Sequence, residues 1–188
     1  MEGKELTYTS SEKYLTQERA ALDKHEYFKG QIVGLAGASL RHNRIAANLI
    51  MEIGIRLKRQ PCEVLPSDIR VCTPSREAYM YPDATIVCGK PEMEDGMFDT
   101  LKNPKIIFEI LSPSTEDHDR RKKFSYYRKI PSFIEYVLID STKLFVEVAT
   151  KQEDGSWQHD ATMDPYGSLH LSCIGISIPL KEVYSNVF

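Results

Sequence analysis

The sequence predicts an α/β (α+β) domain in which a mixed central sheet is flanked by helices. Three observations carry the prediction. Ser39 to Arg59 repeats apolar residues at a helical period. Two apolar runs, MYPDATIVCG (Met80–Gly89) and IIFEILS (Ile106–Ser112), read as buried strands, and the second leads into helix-start chemistry. From Phe133 onward, short alternating runs separated by turns read as further strands. Strands mixed with helices in this order fit a mixed sheet. A length of 188 residues suits one domain, 1–188, and 41% hydrophobic content is enough for a core.

In chain order, residues 1–24 are expected to be peripheral, with SSE at Ser10–Glu12 capping a short surface helix whose apolar residues are Leu15 and Leu22. HEYFKGQIVGLAG (His25–Gly37) places Gly30 at a hairpin turn between two strands. In the long helix, Leu40, Ile45, Leu49, Ile53 and Leu57 form the apolar stripe. CEVLPSDIRVC (Cys62–Cys72) reads as one strand kinked at Pro66, and TPSRE turns the chain into the Met80 strand. Lys90 to Lys105 is a charged loop. SPSTED then starts a helix running to about Lys129, either from Ser112 with Pro113 in the first turn or from Ser114 with Asp117 as a capping box. EYVLID, KLFVEVAT, SWQHDATM and SLHLSCIG are strands, and Leu180–Tyr184 is a short closing helix.

Composition narrows the function classes. A formal charge of -3 and a pI near 6.0 give no global basic field, so any nucleic-acid contact must come from a local patch. Cys62, Cys72, Cys88 and Cys173 stand singly, with neither a CxxC pair nor zinc-site spacing, and are expected as reduced, partly buried thiols. MEGKELTYTSSEKYL has no apolar signal core, and no segment approaches the roughly 20 apolar residues of a membrane span, so a cytoplasmic protein is expected. The sequence contains no P-loop, dinucleotide fingerprint or nucleophile elbow.

Each of the two apolar strands contains one misplaced acid, Asp83 and Glu109. The connection KPEMEDGMFDTLKN lacks a helical apolar stripe, so the strands are expected to pair antiparallel. Asp83, Thr85 and Val87 then share one face, as do Ile107, Glu109 and Leu111. With adjacent strands about 4.8 Å apart, matched register brings the carboxylates close enough to share a cation. Two such anions repel, and a buried carboxylate without a partner costs several kcal/mol, so a positive group must compensate. A divalent metal does so with hard oxygen ligands, to which the Ile110 carbonyl can add. The alternative is separate neutralisation of each acid by salt bridges, backbone N–H groups or water.

The helix after Glu109 carries the one strongly basic stretch, DHDRRKKFSYYRK (Asp117–Lys129). Positions four apart align Asp119, Lys123 and Tyr127, with Phe124 and Tyr127 turned partly inward. Taken alone, the run reads as a solvated face with an ordinary Asp119–Lys123 pair. Its position directly after the Glu109 strand lets it fold over the same sheet face and bring Lys123 to the site.

PD at Pro82-Asp83, ExL at Glu109–Leu111, SPST, DRxxKF at Asp119–Phe124 and EYVLID together resemble the Uma-two family, a bacterial group assigned to the PD-(D/E)XK restriction-endonuclease-like superfamily. GQIVGLAG, His42-Asn43 and PCEV (Pro61–Val64) add to the resemblance, which runs from about His25 to Tyr184. It implies a restriction-endonuclease-like core and, as ancestral chemistry, Mg²⁺- or Mn²⁺-dependent hydrolysis of phosphodiesters in nucleic acid, with DNA the expected substrate. Asp83 and Glu109 carry over as metal ligands. Leu111 stands where a typical superfamily nuclease has its lysine, and the resemblance places that lysine at Lys123 on the following helix. Gln31 replaces a common family glutamate, leaving Glu26 as a further ligand or base. His42 is a candidate for phosphate or metal contact, or for capping; Glu52 reads as surface.

The resulting expectation is in-line attack of water on a phosphodiester, with a cation at Asp83 and Glu109, Lys123 orienting the nucleophile, and Arg120, Arg121, His42, Arg44 and Arg41 gripping nucleic acid. A homodimer is compatible with superfamily habits but unsupported by any heptad or patch. Two other readings stand beside it: a catalytically silent nucleic-acid-binding or assembly module, and an enzyme acting on another substrate.

Overall fold

The computed structural model describes residues 8–188. Residues 1–7, on which part of the missing-leader reading rests, lie outside the described residues. No helix among the described residues is long and apolar enough to cross a membrane.

The chain opens with α1 (Ser11–Glu18), capped by the Ser10 side chain, which accepts from the Lys13 N–H. This helix is not a peripheral appendage, which corrects the expectation for that stretch. Tyr14 is fully buried in a cluster with Leu15, Tyr27, Cys72 and Tyr79, and its hydroxyl donates to the His25 carbonyl at 2.6 Å.

Strands β1 (His25–Phe28) and β2 (Gln31–Gly34) form the expected hairpin. Lys29 and Gly30 both have positive φ, the geometry of a tight two-residue turn. A Cβ on Gly30 would also strike the Tyr8 ring at 2.3 Å. Helix α2 (Leu40–Leu57) is capped by Ser39 and buries Ile45, Leu49, Ile53 and Leu57, while Leu40 stays exposed.

Two readings change next. CEVLPSDIRVC is two strands rather than one kinked strand: β3 (Cys62–Pro66) and β4 (Arg70–Cys72) belong to different sheets. Similarly, the Met80 run splits into β5 (Ala78–Met80) and β6 (Ala84–Cys88), with Tyr81, Pro82 and Asp83 at the crossing. A proline at each crossing removes a ladder donor where the chain leaves one sheet for the other.

The charged loop contributes β7 (Thr100–Leu101), parallel to β4. Then follow β8 (Ile106–Leu111), a π-helical segment (His118–Lys123), α3 (Phe124–Tyr127), β9 (Glu135–Asp140), β10 (Val146–Lys151), β11 (Trp157–Thr162), β12 (Ser168–Leu171), β13 (Ile176–Pro179) and α4 (Leu180–Val183). The six-stranded sheet runs β11-β10-β9-β8-β6-β3, and a five-stranded sheet runs β2-β1-β5-β4-β7. β8 pairs antiparallel with β6, as expected, and parallel with β9, so the larger sheet is mixed. β8 and β9 are buried at every position, as strands covered on both faces must be.

One face of the six-stranded sheet packs Ile86, Phe108 and Ile110 against Ile45, Leu49 and Ile53 of α2, with the β12–β13 hairpin and α4 completing the layer. The other face places Ile107, Leu111 and Tyr136 against Tyr127, Phe133 and the smaller sheet. Glu109 belongs to this second face by alternation.

The cysteine expectation is corrected in part. Cys62 and Cys88 form a disulfide, whereas Cys72 and Cys173 are free. They pair because β3–β6 register sets Cys62 directly opposite Cys88, which spacing along the chain does not reveal.

Candidate functional site

Asp83 occupies the turn into β6. Its backbone N–H donates to the Phe108 carbonyl at 3.1 Å, and its Oδ2 accepts from the Ile110 N–H at 2.6 Å. With Ala84 opposite Phe108, the next step of an antiparallel ladder sets Asp83 opposite Glu109. Asp83 Oδ1 faces His42 Nε2 at 3.1 Å, so the first turn of α2 meets the sheet here. His42 Nδ1 is buried without a hydrogen-bond partner.

Glu109 is buried within β8 and accepts from the Tyr127 hydroxyl at 2.9 Å. Lys123, on the π-helical segment, places its ammonium 2.6 Å from the same Oε1. That ammonium also lies 3.1 Å from Glu26 and 3.6 Å from Asp119, and donates to the Tyr81 carbonyl at 3.2 Å. Asp119, Lys123 and Tyr127 all turn inward, as their spacing of four predicts, although hydrogen bonds in this segment follow the wider π-helical pattern.

Glu26 is fully buried in β1. Besides Lys123 it accepts from the Tyr81 N–H at 3.0 Å and faces His118 Nε2 at 3.2 Å. His118 and Tyr81 were not singled out in the sequence; His118 lies in the basic stretch, where the arginines and lysines draw attention away from it. Gln31 is exposed at the hairpin.

Electrostatically the cluster has one buried ammonium for three buried carboxylates. Burial raises the Glu109 carboxyl well above its ordinary range; Lys123 opposes this, and Asp119, Asp83 and Glu26 add to it. Burial likewise raises Asp119, against the pull of Lys123. Glu26 goes the other way: burial would raise it, but Lys123, His118 and the Tyr81 N–H together hold it below its ordinary value. Burial alone would discharge Lys123, yet Glu109, Glu26 and Asp119 keep it charged well beyond the usual lysine range.

The basic residues divide. Arg120 is held by Glu116 at 2.8 Å and by Glu147 of β10 at 2.5 Å. Arg121 pairs with Asp117 at 2.7 Å in the open. Arg41 lies over the Phe188 ring, and Arg44 is exposed. Glu52 pairs with Arg56 inside α2. A cleft of about 360 Å³ opens beside Asp83 and His42, lined also by Leu22, Leu35, Asn43 and Tyr81.

The architecture is a mixed α+β fold that a solved structure shares. A crystal structure from Anabaena variabilis ATCC 29413, described as "a putative nuclease belonging to DUF820", matches with a TM-score of 0.77, covering 96% of this chain and 99% of that one. At 16% identity this is a likeness of fold. The chain belongs to the Uma2 family, whose description is "putative restriction endonuclease" and whose pattern matches residues 11–181. Two uncharacterized proteins of Synechocystis sp. (strain ATCC 27184 / PCC 6803 / Kazusa) are similar over most of their length. The protein sll1609 is 36% identical over 144 residues, 77% of this chain and 81% of its own length. The protein slr1290 is 33% identical over 178 residues, 93% of this chain and 90% of its own.

Proposed function

We propose that the chain is a divalent-metal-dependent nuclease, acting on DNA, with its chemistry centred on Asp83, Glu109 and Lys123. The observation that carries this reading is the convergence of Glu109, Glu26 and Asp119 on a single ammonium beside Asp83. A buried cluster with surplus negative charge, next to an aspartate that opens onto a cleft, has the electrostatics of a cation site.

Among the described residues, no group of three or more His, Cys, Asp or Glu side chains is arranged to hold a metal. The donor chemistry nevertheless fits Mg²⁺ or Mn²⁺, which need few protein ligands when they are hard oxygens. Asp83 and Glu109 would hold the ion; when bound, it supplies charge neutralisation for a phosphodiester undergoing displacement.

The residues around it prepare that chemistry. The Ile110 N–H and His42 fix both oxygens of Asp83. Tyr127 fixes Glu109. Lys123 orients water for in-line attack and supplies positive charge close to the reacting phosphate. Glu26, buried and tied to Tyr81 and His118, is a positioning residue that holds Lys123. Arg44 and Arg121 remain the candidate phosphate contacts of the predicted set, since Arg120 is held by two carboxylates.

A second reading, nucleic-acid binding without cleavage, is favoured by one observation: Lys123 already ion-pairs directly with Glu109. Nicking of supercoiled plasmid with Mn²⁺ or Mg²⁺ separates the two. The nuclease reading predicts nicking by wild type and none by Asp83→Asn; metal-independent or equal activity in both rejects it.

A further inference from the structure

The cleft beside Asp83 differs from what a grip on duplex DNA requires. The proposed reactive carboxylates are recessed, with Glu109 2% exposed and the Asp83 side chain 20% exposed. The opening of about 360 Å³ has room for roughly one nucleotide-sized group. A duplex is a stiff rod over about 150 base pairs and cannot lower one phosphate into a recess without distortion. An unpaired strand can.

Two leucines stand exposed on a cleft whose wall is otherwise mixed, with Asp23, Lys24, His42, Asn43 and Tyr81 among its polar side chains. Leu22 is fully exposed and Leu35 is partly exposed, and both line the cleft. Exposed apolar side chains suit the faces of unstacked bases, and leucine is among the residues that wedge between them.

Two of the nearby cations are held by carboxylates. Lys24, the lysine on the cleft wall, is held by Asp68 at 2.5 Å and donates to the Ser67 carbonyl. Arg120 is held by Glu116 and Glu147. A protein that grips duplex through about 6–10 phosphates needs far more free positive charge at its site.

From the recessed acids, the two leucines exposed at the cleft and the paired Lys24 and Arg120, we infer that this site takes unpaired nucleic acid, a single strand or one splayed from a duplex, in preference to intact duplex. The inference rests on the nuclease reading for its chemistry but concerns which strand enters. Leu22 and Leu35 contact bases on either side of the bound nucleotide, and its phosphate would reach the cation held at Asp83.

The test uses the full chain and one fluorescein-labelled DNA oligonucleotide presented as a single strand, as a duplex and as a duplex with an unpaired flap. Binding is read by anisotropy with Ca²⁺ and cleavage with Mn²⁺. The expected result is single-strand and flap affinity and cleavage at least about tenfold above duplex. Leu22→Ser should weaken strand binding about fivefold, the effect of losing one partly buried apolar contact, while Leu22→Phe retains it. Leu22 packs against nothing that folding needs.

Duplex bound or cut as well as the single strand overturns this inference and leaves the nuclease reading intact. Strand-selective, Leu22-dependent binding without cleavage supports the inference and overturns the nuclease reading. No binding to any form overturns both. If Leu22→Ser changes oligomeric state in sedimentation but not strand affinity, the leucines serve a contact between copies and the inference fails.

Discussion

Two ionic clusters, one around Asp99 and one around Lys123, differ in charge stoichiometry. Around Asp99, the Arg19 guanidinium approaches at 2.8 Å and the buried Arg70 at 2.5 Å, while Arg19 also pairs with Asp95 at 2.7 Å. Two cations meet two carboxylates. Arg19 first, then Arg70 and Thr100, hold the Asp99 carboxyl well below the ordinary range despite the opposing effect of burial. Around Lys123, one cation meets three buried carboxylates, and burial carries Glu109 in the opposite direction. A balanced cluster serves the fold, whereas an unbalanced one is expensive without a further cation and therefore marks where chemistry is expected.

The largest expected effect is on activity. Glu109→Gln should lower metal-dependent cleavage by about 100-fold or more with little change in melting temperature, because a neutral amide replaces a carboxyl that burial already pushes toward its protonated form. Asp99→Asn should leave specific activity intact. Plasmid nicking and thermal melts on both variants check this; a large melting loss in Glu109→Gln would make that residue structural.

Lys123→Met should be the most destabilising change in either cluster, by about 3–5 kcal/mol, since it strips the only ammonium from three buried carboxylates. Adding Glu26→Gln should restore part of that loss, a non-additive coupling that urea denaturation of the single and double variants would measure. Asp99→Asn comes next, at about 1–3 kcal/mol, because it leaves Arg70 buried with a weaker partner.

The smallest effects are in pH dependence, and the two clusters should respond with opposite signs. Asp99 has a depressed folded pKa, so its stabilisation is present above the ordinary aspartate value of 3.8 and is lost as pH falls through the folded value. Glu109 has a raised folded pKa. Its relative stabilisation is complete below the ordinary glutamate value of 4.5 and declines as pH rises through the folded value. Melting temperature against pH should therefore lose its acid-side slope in part in Asp99→Asn, and its decline above pH 4.5 in Glu109→Gln.

Much of this could be read in the sequence because the signals are local. Asp83 and Glu109 stand out as acids in apolar strand runs, and the antiparallel pairing followed from a connection that could not be helical. Spacing by four picked out Asp119, Lys123 and Tyr127. What escaped depends on contacts between distant segments. The His42–Asp83 contact exists because the start of α2 meets the β5–β6 crossing. His118 reaches Glu26 across 92 positions of sequence, and the Cys62–Cys88 bond follows from a strand register. The sheet changes at Pro66 and Pro82 looked like a kink and a continuous strand because apolar, strand-forming residues flank each crossing on both sides.

The most direct test of the charge-imbalance account is calorimetric titration of the metal-free protein with Mn²⁺ at neutral pH, with Glu109→Gln and Asp99→Asn alongside. The account predicts saturable binding in wild type and Asp99→Asn, and loss of that binding in Glu109→Gln. Equal binding in all three proteins, or none in wild type, would contradict it.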